Sequence, residues 1–252
     1  MLISKKFIPS LFTILNAFCG FLSVINSANH EYETAAIFII IATLFDAVDG
    51  LAARLTKSSS EFGVELDSLS DVISFGLAPS FLIYGIYLNE LGDIGVVISS
   101  LIMVFAAIRL ARFNVQLVGF DKDKFNGLPA PMAAMTIVTY ILFYHDKIFS
   151  LSSSKNFLLV LSLILPILMV SRIKYESLPK PSLFAIKKNP IIFVILLIAV
   201  IITLATGGEG SFSFCLFYIF SGIIISFKNF VFKKKLNKDD ILDDHLDLKK
   251  SK

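Results

Sequence analysis

Four aspartates stand close together in one of the most apolar regions of a very apolar chain. They are Asp46, Asp49, Asp67 and Asp71, in the stretch FDAVDGLAARLTKSSSEFGVELDSLSD (45–71). Carboxylates supply oxygen ligands to hard divalent cations, and a well-placed carboxylate can also accept a proton as a general base. This set of residues therefore indicates metal-assisted transfer chemistry at a charged centre.

Helical periodicity places these acids on two stripes, because residues three, four, seven and eight apart share one face of a helix. The first stripe comprises Asp46, Asp49, Gly50, Ala53 and Arg54. The second stripe comprises Gly63, Asp67, Asp71 and Ser74. The turn TKSSSEF between them is short, so we expect antiparallel neighbouring helices whose stripes face each other. The four carboxylates then converge in one pocket near the membrane surface.

Four carboxylates at membrane depth need compensating charge, because each costs a few kcal/mol there and like charges repel. A divalent cation, Mg²⁺ or Mn²⁺, meets this need, and one or two ions could fit. Gly50 and Gly63 would let a ligand approach the backbone, and Arg54 could hold a phosphate. The alternative role for both glycines and Ala53 is helix packing.

The elements that position the acids are predicted to be membrane-spanning helices. The chain has 252 residues, is 56% hydrophobic and has a mean hydropathy of +0.78. Uncharged runs reach the roughly 20 residues that cross a bilayer. We therefore predict an all-α polytopic membrane helix bundle with about eight transmembrane helices. The predicted spans are residues 7–28, 34–54, 65–88, 93–115, 129–146, 156–173, 190–206 and 211–228.

Charge is distributed unevenly along this predicted topology. With eight spans, every lysine and arginine except Lys147 and Lys155 falls on the side of the two termini. Cytoplasmic loops carry such an excess, so both termini and the acidic pocket are expected at the cytoplasmic face of the cell membrane. One transmembrane catalytic bundle is predicted over residues 1–232, followed by a charged cytoplasmic tail at 233–252. A net charge of +3 is too small to indicate a nucleic-acid partner.

The acidic stretch resembles the signature of the CDP-alcohol phosphotransferase family. From Asp46 to Asp71 it reads D-x-x-D-G-x-x-A-R-x8-G-x3-D-x3-D without departure. The resemblance implies that an alcohol attacks the lipid-linked phosphorus of a CDP-linked donor and that CMP leaves. By position it implies three metal ligands, Asp46, Asp49 and Asp67, and a general base, Asp71, that also touches a second metal. The implied cytidine diphosphate pocket consists of Asp49, Gly50, Ala53, Arg54 and Gly63.

Four further segments resemble one branch of that family, the bacterial and archaeal membrane type of phosphatidylserine synthase. They are IPSLFTILNAFCGFLSV (8–24), VISFGLAPS (72–80), RLARFN (109–114) and GLPAPMAA (127–134). This likeness implies CDP-diacylglycerol as donor and L-serine as acceptor, and family members are often homodimers. Glycerol 3-phosphate and choline remain alternative acceptors. A membrane transporter of ions or solutes is the competing class, because intramembrane carboxylates also mark ion paths.

Polar residues near the ends of other spans are candidate substrate contacts. Serine is a zwitterion, so its carboxylate calls for a cation such as Arg109 or Arg112, which share a helix face. Anchoring at the membrane surface is the alternative role of both arginines. Asn16 and Asn114 are candidates for hydrogen bonds to the cytidine or the acceptor, and bonding between helices is their alternative role.

Overall fold

The computed structural model describes residues 7–56, 60–117, 127–148, 150–175 and 190–228, and regular structure there is entirely helical. The helices are α1 (Phe7–Ala28), α2 (Tyr32–Thr56), α3 (Glu61–Asp71), α4 (Ala78–Ile86), α5 (Asp93–Leu117), α6 (Ala130–Phe143), α7 (Leu151–Val170), α8 (Pro190–Ala205) and α9 (Gly210–Lys228). A π-helical segment, Val72–Leu77, joins α3 to α4 without a break, and a short 3-10 turn, Leu88–Leu91, follows α4.

Six helical segments in the described ranges are long and apolar enough to cross a membrane. They are Pro9–Ala28, Tyr32–Ala52, Glu61–Ile86, Asp93–Val115, Leu151–Val170 and Gly210–Lys228. Two further apolar helices, α6 with 14 residues and α8 with 16, are shorter than the roughly 20 residues of a full span. The predicted all-helical membrane protein is thus confirmed, and helices occupy all eight predicted positions. Eight complete crossings and cytoplasmic termini stay predictions, and the predicted tail at 233–252 lies outside the described residues.

Two helices begin earlier than the apolar pattern predicted, because polar side chains cap their first turns. The Ser60 hydroxyl accepts a hydrogen bond from the Gly63 amide at 3.0 Å, so α3 starts at Glu61 instead of residue 65. Ser150 caps α7 in the same way, so α7 begins before residue 156. Hydropathy alone misses such starts, since the first turns EFGVE and LSSSK are polar.

Helix α6 forms the centre of the bundle. Its fully buried side chains include Ala130, Ala133, Ala134, Ile137, Val138 and Tyr140. It packs against α2, α4, α7 and the π-helical segment. Since protein surrounds α6 on most sides, its 14 residues need not match the thickness of the lipid.

Helix α1 positions the helices that carry the acidic stripes. It packs along α2 and also against α3 and the π-helical segment, and within the described ranges it is the main packing partner of both α2 and α3. A Cβ added at Gly20 would overlap Ser74, so glycine is what permits the close approach of α1 to the π-helical segment. Predicting α2 and α3 simply as direct neighbours therefore overlooked the helix that holds them in register.

Candidate active site

Three of the predicted acidic side chains meet between α2 and α3. Asp46 and Asp49 of α2 and Asp67 of α3 each place one carboxylate oxygen within 4.8 Å of the others. Asp49 is buried, and the other two are half-buried. The spacing along each helix puts its acids on one face, and the packing of α1 against both α2 and α3 holds the two faces near each other.

Asp71 lies one helical turn beyond Asp67 and is buried. The Asn16 Nδ2 atom donates a hydrogen bond to its Oδ1 at 3.3 Å. Asp71 interacts electrostatically with Asp46, Asp49 and Asp67 but does not belong to the three-carboxylate group. It therefore borders the cluster, and its roles as general base and second-metal contact stay predictions.

Two polar residues of α1 reach the acids on the neighbouring helices. The Thr13 hydroxyl donates to Asp49 Oδ2 at 2.9 Å, and Asn16 donates to Asp71. Both α1 residues are buried. Sequence analysis proposed Asn16 as a substrate contact and missed Thr13. The available signal was their spacing of three residues, which puts two polar side chains on one face of an apolar helix.

The π-helical segment starts directly after Asp71. Its Ser74 hydroxyl donates to the Asn16 backbone carbonyl at 2.8 Å. Local π-helical turns shift the register of the residues that follow and are frequent at functional sites. The Ser74 hydrogen bond ties the helix of Asp67 and Asp71 to the helix of Asn16.

The donor set fits a hard divalent cation. The ligands would be carboxylate oxygens, and Asp67 Oδ1 is buried without a hydrogen-bond partner in the described structure. The ion pairs Lys147–Glu33 and Lys155–Glu90 join residues outside the carboxylate group. The cluster therefore presents concentrated negative charge and an unsatisfied oxygen, as expected of a metal site.

The predicted nucleotide pocket is only partly described. Gly50 follows Asp49 in α2 and is half-buried. Gly63 lies in the first turn of α3, where its amide contributes to the helix cap. Ala53 and Arg54 belong to the helical backbone of α2, but their side chains lie outside the described residues. Their assignment to the cytidine diphosphate stays a prediction.

The predicted contacts on α5 differ from one another in environment. Arg109 is half-buried and interacts electrostatically with Asp71, so it faces the site. Arg112 is exposed. Asn114 Nδ2 donates to Ser68 Oγ at 3.0 Å and to Glu65 Oε2 at 3.4 Å. The described contacts of Asn114 thus join α5 to α3, which matches the alternative role of helix–helix bonding.

Comparison with known proteins identifies the class of protein. Residues 6–225 match the CDP-alcohol phosphatidyltransferase family, and the chain belongs to that family. It is an enzyme of CDP-alcohol phosphatidyl transfer embedded in a membrane through apolar helices.

Individual relatives share a narrower description. The chain is 35% identical to a CDP-diacylglycerol–serine O-phosphatidyltransferase of Helicobacter pylori, over 86% of this chain and 89% of the relative. It is 40% identical to an archaetidylserine synthase of Methanothermobacter thermautotrophicus, over 67% of this chain and 69% of the relative. A Bacillus subtilis CDP-diacylglycerol–serine O-phosphatidyltransferase is 33% identical over 69% of this chain and 93% of its own length.

Proposed function

We propose that this protein transfers the phosphatidyl group of CDP-diacylglycerol to the hydroxyl of L-serine, giving phosphatidylserine and CMP. The observation that carries the proposal is the convergence of Asp46, Asp49 and Asp67, with Asp71 beside them. The serine-specific names of relatives that align over most of the chain support the choice of acceptor.

Asp46, Asp49 and Asp67 would hold the divalent cation, Mg²⁺ or Mn²⁺, as one ion or two. When bound, the metal neutralises charge on the diphosphate and stabilises the leaving group. Thr13 holds the Asp49 carboxylate through its hydrogen bond and so fixes the direction of that ligand. The cytidine diphosphate would bind at Gly50, Ala53, Arg54 and Gly63, the positions that the family signature assigns to it.

Asp71 takes the proton of the serine hydroxyl as the oxygen attacks the phosphorus that bears the lipid. The new oxygen–phosphorus bond forms while the bond to the CMP phosphate oxygen breaks, and CMP leaves with the electron pair. Asn16 keeps the Asp71 carboxylate in place, since its amide donates to one carboxylate oxygen. The other oxygen of Asp71 can then face the acceptor.

The active site is proposed to lie at the cytoplasmic face, with both termini on that side. Asp46 and Asp49 lie toward the end of α2, next to the loop with Lys57, whereas Lys147 and Lys155 lie near the opposite ends of the predicted spans. A water-soluble acceptor then enters from the cytoplasm while acyl chains stay in lipid. The homodimer stays a prediction, which light scattering of the detergent-solubilised protein would test.

A radiolabel assay on purified protein tests the proposed function. Labelled CDP-diacylglycerol is supplied with Mg²⁺ or Mn²⁺ and with one acceptor at a time: L-serine, glycerol 3-phosphate, inositol phosphate or choline. Asp71→Asn serves as the inactive reference. Asp93→Asn is the matched control, because Asp93 is an exposed aspartate at the first position of α5, whereas Arg109 lies near the last turns of that helix. We expect CMP release that depends on serine and is abolished by EDTA and by Asp71→Asn but not by Asp93→Asn.

Two results would overturn parts of this proposal. CMP release with another alcohol and none with serine would keep the chemistry and replace the acceptor. Full activity of Asp71→Asn would remove Asp71 from its role as general base.

A further inference from the structure

The C-terminal part of the bundle stacks two tyrosines on each other, and one of them interacts with Arg109 of α5. Tyr175 lies in the segment after α7, and Tyr218 lies in the middle of α9. Their rings stack with centroids 5.6 Å apart and planes at 25°. A Cβ added at Gly222 would overlap the Tyr175 ring, so a glycine on the next turn of α9 makes room for the stack.

Backbone hydrogen bonds hold Tyr175 in this position. The Gly127 amide donates to the Ile173 carbonyl at 3.0 Å, and the Lys174 amide donates to the Ser226 hydroxyl at 3.0 Å. The segment after α7 is therefore fastened on one side to the start of α6 and on the other to α9. Tyr175 is 8% exposed, yet its hydroxyl has no hydrogen-bond partner in the described structure.

An unpaired buried tyrosine hydroxyl needs an explanation, because buried polar groups in proteins are normally hydrogen-bonded. Burial, with a smaller contribution from Tyr218, raises the pKa of Tyr175 to about 12. A tyrosine hydroxyl is protonated at neutral pH even at its ordinary pKa, so this buried hydroxyl is able to donate a hydrogen bond to an anion.

Arg109 connects the tyrosine pair to the proposed general base. It interacts electrostatically with Asp71 on one side and with Tyr218 on the other. Its Nε atom is buried and has no hydrogen-bond partner among the described residues. Tyr218 thus links Arg109 to Tyr175, since it interacts with the arginine and stacks on the other tyrosine. Arg109 and Tyr175 each keep a buried donor without a hydrogen-bond partner in the described structure, and such donors suit a carboxylate.

We propose that Arg109, Tyr175 and Tyr218 form the subsite that binds the carboxylate of the acceptor amino acid. This inference rests on the proposed function and extends it to two residues of the C-terminal part of the chain. In serine only the α- and β-carbons separate the carboxyl group from the hydroxyl. A carboxylate held at Arg109 therefore presents the hydroxyl to Asp71, which interacts with the same arginine.

Steady-state kinetics with two acceptors test the subsite. The acceptors are L-serine and L-serinamide, which keeps the hydroxyl and the amino group but lacks the carboxylate. The variants are Tyr175→Phe and Tyr218→Phe, which keep the stacked rings and remove single hydroxyls. Tyr140→Phe is the matched control, because Tyr140 is fully buried in α6 and its hydroxyl donates to the Ser154 carbonyl in the first turn of α7 at 3.4 Å.

We expect the KM for serine to rise about 10-fold in Tyr175→Phe, since a hydrogen bond to a charged group is lost. The KM for CDP-diacylglycerol should stay within about 2-fold of the wild-type value, and serine should lose its advantage over serinamide. A smaller change in the same direction is expected for Tyr218→Phe. Tyr140→Phe should keep wild-type KM values for both substrates.

The outcomes separate this proposal from the proposed function. A wild-type protein that uses serine, combined with an unchanged serine KM in both tyrosine variants, overturns the subsite alone. If the tyrosine variants raise the KM for CDP-diacylglycerol and leave the KM for serine unchanged, the subsite proposal is also overturned. The tyrosine hydroxyls would then contact the phosphates of the lipid nucleotide. A wild-type protein that uses only acceptors without a carboxylate overturns both proposals.

Discussion

Replacing Asn16 with alanine tests how α1 supports the chemistry at Asp71. The Asn16 amide is fully buried and donates to Asp71 Oδ1 at 3.3 Å. Asn16 Oδ1 has no partner in the described structure. The substitution therefore removes one useful donor and one unsatisfied acceptor together.

The expected loss of activity follows from the hydrogen bond. A bond to a charged group contributes about 1.5–3 kcal/mol, which corresponds to about 10- to 150-fold in kcat/KM if it is fully used in the transition state. At 3.3 Å this bond is slightly longer than the usual range of about 2.7–3.2 Å, so we expect a loss of about 10-fold. Loss of the unsatisfied acceptor offsets part of the cost of the cavity, so stability should fall much less than activity.

The assay compares kcat/KM for CMP release with the thermal midpoint of the detergent-solubilised protein. Asn26→Ala is the matched control: Asn26 lies on the same helix, and its side chain donates to the Leu22 carbonyl. We expect Asn26→Ala to keep wild-type kcat/KM. Wild-type activity in Asn16→Ala would refute the reasoning, because Asp71 would then need no support from α1. An equal loss of kcat/KM in both variants would show that any substitution in α1 lowers activity, and not that the bond to Asp71 is needed.

Three further predictions concern the metal site, helix packing and topology. Thr13→Val removes the hydroxyl that donates to Asp49, so the metal concentration that gives half-maximal activity should rise about 10-fold or more. An unchanged metal concentration for half-maximal activity would contradict this prediction. Gly20→Leu should lower the free energy of unfolding by about 1–3 kcal/mol, because α1 would be pushed from the π-helical segment; an unchanged melting temperature would refute that packing. In intact cells a membrane-impermeant thiol reagent should label Ser152→Cys but not Glu61→Cys. Both positions are exposed in the structure, and the two native cysteines are buried and should not react. The reverse labelling pattern would invert the topology.

The local pattern of apolar and acidic residues was sufficient to predict the helices and the two acidic stripes. Apolar runs predict membrane helices because unpaired backbone groups are costly in lipid, and this requirement does not depend on the neighbouring helices. The convergence of Asp46, Asp49 and Asp67 was predictable for a related reason: each stripe is a property of one helix, and the short turn limits where the second helix can go. The start of α3 was harder to predict, since it depends on the Ser60 cap and not on hydropathy.

Tertiary packing decided what surrounds those acids. Nothing in the stretch from Asp46 to Asp71 indicates that Thr13 and Asn16 would bond to it, because that contact depends on how α1 packs against α2 and α3. Tyr175 stacks on Tyr218, 43 positions later, and Tyr218 interacts with Arg109, 109 positions earlier. Helical periodicity is local and can be read from sequence, whereas the pairing of helix faces is decided by shape and by buried polar contacts across the whole bundle.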